Sequence, residues 1–227
     1  LYQEGTKRRV FTPVAAQRGL DRVTPIHQPL AMPRLDLAIE AAVETLEIKK
    51  HIFADLDRRT PPDTILATNT SALPISEIAA ATSRPDKVIG VHVFNPVHRM
   101  QLVEIVVGEQ TSPETVQRTL AFVQRIGKLP VISKDRPGFI VNRILLPYLS
   151  EAARLLEDGN DPSAIDEAML DYGMPMGPLR LVDEVGIDVA LHVANTLHAA
   201  FGERFAVPEI LPKLAEAGLL GRKSGEG

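Results

Sequence analysis

Two ionisable residues stand out for the company they keep. His92 lies in the run Lys87 to Phe94 and Glu104 in the run Gln101 to Val107, and both runs are otherwise apolar, with the length and β-branched content of buried strands. A short Asn95-Pro96 connection separates them. Burying either group alone is costly, so each needs a partner, and the nearest partner for each is the other. A histidine backed by a carboxylate transfers protons near neutral pH, because the carboxylate fixes the tautomer and stabilises the imidazolium. The plainer reading, a satisfied pair in a core, leaves unexplained the polar residues that end two other strands. No HxH, HExxH or carboxylate cluster accompanies His92, so no metal site is expected. Ser71 lacks the GxSxG turn of a nucleophilic serine, which argues against acyl transfer with His92 as its base.

The elements that must position these residues follow from periodicity. LDLAIEAAVE reads as a strand from about Asp36 to Ala42, and Glu47 to Arg59 as an amphipathic helix on the spacing Ile48, Ile52, Phe53, Leu56. TILATN is a second strand, and Pro74 opens a helix that runs through Ala81. Strand, helix, strand, helix, strand is the pattern of a parallel sheet with crossover helices, where ligands sit beyond the carboxyl ends of the strands. Ala42-Val43-Glu44, Asn69-Thr70-Ser71 and His92 to Asn95 occupy such ends and are expected to converge on one crevice. Pro113 to Ile126 is a further helix, capped by Thr111 or Ser112 and closed by Gly127, and LPVIS is a last strand.

From Pro137 the period turns helical and stays so, which divides the chain into an α/β domain, residues 1–134, and a helical domain, residues 135–227. The first helix of the second part carries Ile140, Ile144, Tyr148, Ala152 and Leu155 on one side and is expected to kink at Pro147. Pro162 to Tyr172 follows, then the turn YGMPMGP. The run Leu179 to Phe201 is apolar nearly all round and is expected to be buried between neighbours or across a subunit interface, and a short helix lies near Glu209 to Ala217. The start of the chain, with Lys7-Arg8-Arg9 and breakers at Pro13, Gly19, Pro25 and Pro29, reads as a solvated helix, a turn and one short strand around Arg22 to Thr24.

Composition narrows the class. With 227 residues, 44% of them hydrophobic, the chain supports one or two packed domains. A net charge of −4, with its 25 Lys and Arg scattered, gives no case for a nucleic-acid partner. The absence of cysteine excludes a disulfide framework and a thiolate metal site and fits a reducing, cytoplasmic location. No apolar run approaches the roughly 18 residues of a membrane helix, so no membrane insertion is expected, and no signal-peptide pattern opens the chain. Because it begins at Leu1, it reads as a piece of a longer protein.

The strings ATNTS, VHVFNPVHRMQLVEIV, RPGFIVNRILLPY and PMGPLRLVDEVGID, in this order, resemble the 3-hydroxyacyl-CoA dehydrogenase family of fatty-acid β-oxidation. The VHRM after Asn-Pro is most similar to the dehydrogenase part of the bacterial multifunctional α-subunit. The likeness runs from about Leu35 to Asp188 and weakens beyond. It implies a partial Rossmann-type domain followed by an all-helical one, NAD as cofactor, and oxidation of an L-3-hydroxyacyl-CoA substrate to the 3-oxoacyl-CoA. It also implies a homodimer or a place in a multifunctional complex. By the same resemblance His92 is the general base and Glu104 its orienting carboxylate, while Ser71 and Asn142 contact the reacting oxygen and thioester region. Ala42, Val43, Glu44, Lys49, Ser71 and Asn95 fall on the cofactor side.

The family's GxGxxG turn is absent, and the only GxG is Gly225 to Gly227. The first strand, first helix and second strand of the family's nucleotide unit are therefore expected upstream of Leu1. A non-catalytic structural or dimerisation module on a dehydrogenase-like scaffold is the alternative. It would also lack the glycine loop, but it has no need of the set His92, Glu104, Ser71 and Asn142.

Overall fold

The computed structural model describes residues 2–28 and 32–227. The chain forms two compact units, residues 1–33 and 34–227. In the first, α1 (Tyr2–Lys7) and α2 (Pro13–Leu20) are short helices. The Thr12 hydroxyl caps α2 by accepting the Ala15 amide at 3.2 Å, and Pro13 occupies a position where a missing N–H costs nothing. The strand expected around Arg22 to Thr24 does not form: these residues are exposed turn and irregular chain, and three residues without a ladder partner do not hold a strand. Pro29 lies outside the described residues.

In the second unit β1 (Leu37–Glu40), β2 (Ile65–Thr68), β3 (Val88–Val93), β4 (Leu102–Val107) and β5 (Leu129–Lys134) build one sheet in sequence order. β1, β2 and β3 are parallel, β4 runs antiparallel to β3, and β5 is parallel to β4. β1 stops at Glu40 rather than Ala42, because the Glu40 carboxylate takes the Ala42 amide at 2.5 Å and turns the chain out of the ladder.

Helices cover both faces: α3 (Leu46–Arg59) and α4 (Ile75–Ala79) one, α5 (Pro113–Arg125) the other. Alternation sorts the strand side chains between them. Leu66, Val88 and Val106 pack with Phe53, Ile75 and Ile78, while Ile65, Ala67, Ile89, Val91, Val103 and Ile105 pack with Val123. Burying each large apolar side chain contributes about 1.5–3 kcal/mol. The same period puts His92 and Glu104 on the face of Val88 and Val106. Gly90 is required beside them, since a Cβ there would lie 2.7 Å from Val106 Cβ and 2.9 Å from Ile75 Cδ1. The five-residue α4 ends at Ala79, short of the expected Ala81, and is too short to hold itself. Asp135 secures it by accepting the Ile75 and Ser76 amides at 2.9 and 2.8 Å. α5 is capped by Ser112, whose hydroxyl accepts the Thr115 amide at 3.2 Å.

The remainder is helical: α6 (Val141–Glu157), α7 (Pro162–Tyr172), α8 (Pro178–Val185), α9 (Ile187–Phe201) and α10 (Ile210–Glu216). α6 runs through Pro147 as one helix. Its buried residues are Leu146, Leu149, Ser150, Ala152 and Ala153, which share only Ala152 with the stripe expected from spacing: Ile144 is 70% and Leu155 46% exposed. α6 carries two apolar stripes, and the buried one is the one its neighbours reach, Leu149 meeting Val182, Ile187, Ala190 and Leu211. The apolar run Leu179 to Phe201 is two helices parted at Gly186, whose φ of +104° side chains resist. Part of that run, at Val185 and Val189, is exposed in the single chain. No helix among the described residues is long and apolar enough to cross a membrane.

Candidate active site

Strand register sets His92 directly opposite Glu104. His92 Nδ1 lies 2.7 Å from Glu104 Oε2, and the two side chains are 6% and 0% exposed. The second carboxylate oxygen accepts the backbone amides of Ile140 and Val141 at 2.8 and 2.9 Å, where α6 begins. Burial pushes the Glu104 pKa up, but the His92 bond and the Val141 and Ile140 amides outweigh it and hold the carboxyl below the usual glutamate range. An ionised carboxylate only accepts, so Nδ1 donates and Nε2 is left as the basic nitrogen. Phe94 and Phe139 flank the imidazole, with ring centroids at 4.5 and 5.9 Å.

The two amides reach Glu104 because the chain turns sharply before them, with φ +72° at Gly138 and +48° at Phe139. The buried Phe139 ring, packed in the sheet core, holds this conformation against its steric cost. A Cβ on Gly138 would also meet Leu197 Cδ2 at 2.7 Å. Gly138→Ala is therefore expected to lose about 1–2 kcal/mol from backbone strain alone. In a thermal melt that lowers Tm by roughly 2–8 °C; an unchanged Tm would show that the turn tolerates a side chain.

The three strand ends meet. Asn69 Oδ1 accepts the Val93 amide at 3.0 Å, tying the end of β2 to the end of β3. Glu44 Oε1 accepts the Thr70 hydroxyl at 2.6 Å and the Ser71 amide at 2.7 Å, which ties in the loop after β1. Asn142 donates from Nδ2 to the Ser71 carbonyl at 3.0 Å and so fixes α6 to the same point. Ser71, His92, Asn95 and Asn142 line one cavity of about 710 Å³, and the rest of its wall is mostly apolar, including Leu145, Leu149, Val182, Val189 and Val193, with Glu184 the one carboxylate among them.

Ala42, Val43, Glu44 and Lys49 are not part of that lining. Val43 is exposed at the end of β1, and Lys49 is wholly buried on Glu40 and Glu44. Sequence reasoning passes over Glu40, although it carries the signal that singles out Glu104, a lone carboxylate in an apolar strand. It also passes over the Ile140 and Val141 amides, which have no side-chain signature. Among the described residues no group of three or more His, Cys, Asp or Glu could hold a metal ion.

A helix-covered sheet with a polar crevice at its strand ends, joined to a helical domain, is the architecture of the Rossmann-type dehydrogenases. Residues 2–136 match the NAD binding domain of 3-hydroxyacyl-CoA dehydrogenases and residues 138–227 match the C-terminal domain, so the chain belongs to the 3-hydroxyacyl-CoA dehydrogenase family. It is 43% identical over all 227 residues to the fatty acid oxidation complex subunit alpha of Shewanella amazonensis, covering 32% of that protein. The chain thus spans about a third of the length of the curated relatives it matches. Among solved structures it is similar to FadB2 of M. tuberculosis, with TM-score 0.96 and 39% identity over 99% of this chain and 81% of that one. It is also similar to (S)-3-hydroxybutyryl-CoA dehydrogenase PaaH1 of Ralstonia eutropha, with TM-score 0.94 and 37% identity over the same shares.

NAD is the cofactor that the matched domain binds. Ser71 and Asn95 border the cavity beside His92 and offer polar groups there. No glycine-rich turn in this sequence supplies a cradle for the pyrophosphate.

Proposed function

We propose that the protein carrying this chain oxidises an L-3-hydroxyacyl-CoA to the 3-oxoacyl-CoA. The observation that carries the reading is the buried His92–Glu104 pair, 2.7 Å apart, on a cavity that joins the polar Ser71, Asn95 and Asn142 to a mostly apolar wall. NAD, when bound, supplies the acceptor for the hydride that leaves C3. His92 Nε2 takes the proton of the 3-hydroxyl as that hydride departs, so the alcohol loses two electrons and two hydrogens, and the proton passes from the imidazole to water. Glu104 stabilises the imidazolium formed in the step. Ser71 and Asn142 hold the substrate oxygens. The apolar wall takes the acyl chain, each buried methylene contributing about 0.8 kcal/mol. Ala42, Val43, Glu44, Lys49, Ser71 and Asn95 form the cofactor side, residues 1–134 the NAD-binding part, and residues 135–227 the substrate and dimerisation part.

Two relatives support this reading. One is named for a fatty acid oxidation complex, which favours a place for the whole protein in such an assembly, and another for (S)-3-hydroxybutyryl-CoA, which favours the thioester class and the hand. The test is NADH absorbance after mixing the whole protein with NAD and L-3-hydroxybutyryl-CoA or a longer-chain analogue. NADH should accumulate with the L thioesters and not with the D enantiomer. No NADH with any L thioester overturns the proposal.

A further inference from the structure

We propose that Glu40 is a positioning residue for the cofactor side of the site, holding Lys49 so that Glu44, which accepts the amide of the cavity-lining Ser71, keeps its net negative charge. The Glu40 and Lys49 side chains are 2% and 0% exposed. Lys49 Nζ lies 2.9 and 3.0 Å from the two Glu40 oxygens, and Glu40 also takes the Ala42 amide and, at 2.7 Å, the Thr68 hydroxyl. Burial raises the Glu40 pKa, but the Lys49, Thr68 and Ala42 bonds outweigh it and hold the carboxyl below the usual range. The same ammonium reaches the Ala42 carbonyl at 3.4 Å and Glu44 Oε2 at 3.5 Å. Glu44 is the outlet of this network: its side chain is 27% exposed, and its other oxygen holds Thr70 and Ser71.

Two carboxylates and one ammonium leave one net negative charge. Because Glu40 holds Lys49 at the shorter distances, that charge falls on Glu44, the less buried of the two carboxylates. A buried ion pair is rarely more stabilising than an apolar pair of the same volume, so its presence beneath the strand ends points to positioning rather than to stability. Without the Glu40 charge, Lys49 neutralises Glu44 instead. Glu44 does not line the cavity but is bonded at 2.7 Å to the amide of Ser71, which does; a negative charge just behind that wall favours a cationic ring over a neutral one, and the nicotinamide of NAD loses its positive charge on reduction. The inference rests on the NAD reading above.

The experiment measures the Kd of NADH by its fluorescence, and of NAD by competition, in the whole protein and in Glu40→Gln. The variant should weaken NAD on the order of tenfold, the size of one nearby charge at an effective dielectric near 20. NADH affinity and the KM of L-3-hydroxybutyryl-CoA at saturating NAD should stay within about twofold, a split that a merely structural role does not produce. Unchanged affinity for both cofactors overturns the proposal, and so does a parallel loss of NAD, NADH and thioester binding. Glu44→Gln removes the same charge at the exposed end without opening the core, and it should show the same selective loss. Wild-type NAD affinity in that variant overturns the proposal even if Glu40→Gln does not fold. If the unsubstituted protein binds neither cofactor, the NAD reading itself fails and this inference with it; if it binds both, only the Glu40 role is at issue.

Discussion

Replacing His92 by glutamine is expected to lower kcat by about 10²–10⁴-fold, the range that a positioned general base supplies. Glutamine has nearly the length of histidine and can still donate an N–H to Glu104 Oε2, which His92 contacts at 2.7 Å, so strand pairing and the cavity should survive. What it lacks is a second nitrogen basic enough to take the hydroxyl proton. The loss should fall equally on kcat and kcat/KM, the pattern of an interaction made only in the transition state, with thioester KM and NADH affinity close to wild type. Steady-state kinetics on the two proteins decide the matter: kcat within about twofold of wild type would remove His92 from the base role.

The second large effect belongs to Glu104→Ala, and it is as much on stability as on turnover. The carboxylate serves three donors at once, His92 Nδ1 and the amides of Ile140 and Val141, all away from water. Truncating it orphans those donors and breaks a buried pair, at a cost of roughly 3–5 kcal/mol. For a chain of this length that lowers Tm on the order of 10 °C. Acid shows the same dependence. Because the folded protein lowers the Glu104 pKa, the unfolded chain binds more protons at acid pH. The stabilisation is complete above the ordinary glutamate value of 4.5 and is lost as pH falls from there through the lower folded value. Glu104→Gln should flatten this acid limb, and a melt series across that window that is identical in the two proteins would show that Glu104 is not ionised in the fold.

The His92–Glu104 pair was legible in the sequence for a physical reason. An ionisable group in an apolar strand must be paired, and two adjacent strands offered one such group each. Glu40 meets the same criterion, but it lies in LDLAIEAAVE with no lone ionisable group in a neighbouring strand to pair with it. Its partner Lys49 lies in a helix with many charges, and periodicity does not say which of them turns inward. Spacing alone does not give the buried face of α6, because the helix carries two apolar stripes and the choice belongs to α8, α9 and α10. The break at Gly186 was hidden inside a continuous apolar run. The Ile140 and Val141 amides, which complete the Glu104 site, are backbone groups aimed by a turn and leave no residue-type signal.

The most direct measurement is the fate of the hydrogen on C3. With L-3-hydroxybutyryl-CoA deuterated at C3 and unlabelled NAD, mass spectrometry of the reduced cofactor formed by the whole protein should find one deuterium on the nicotinamide and none in solvent. That is the outcome of hydride transfer with the hydroxyl proton going separately to His92. Deuterium released to water, or 3-oxoacyl-CoA formed without labelled cofactor, would contradict the account.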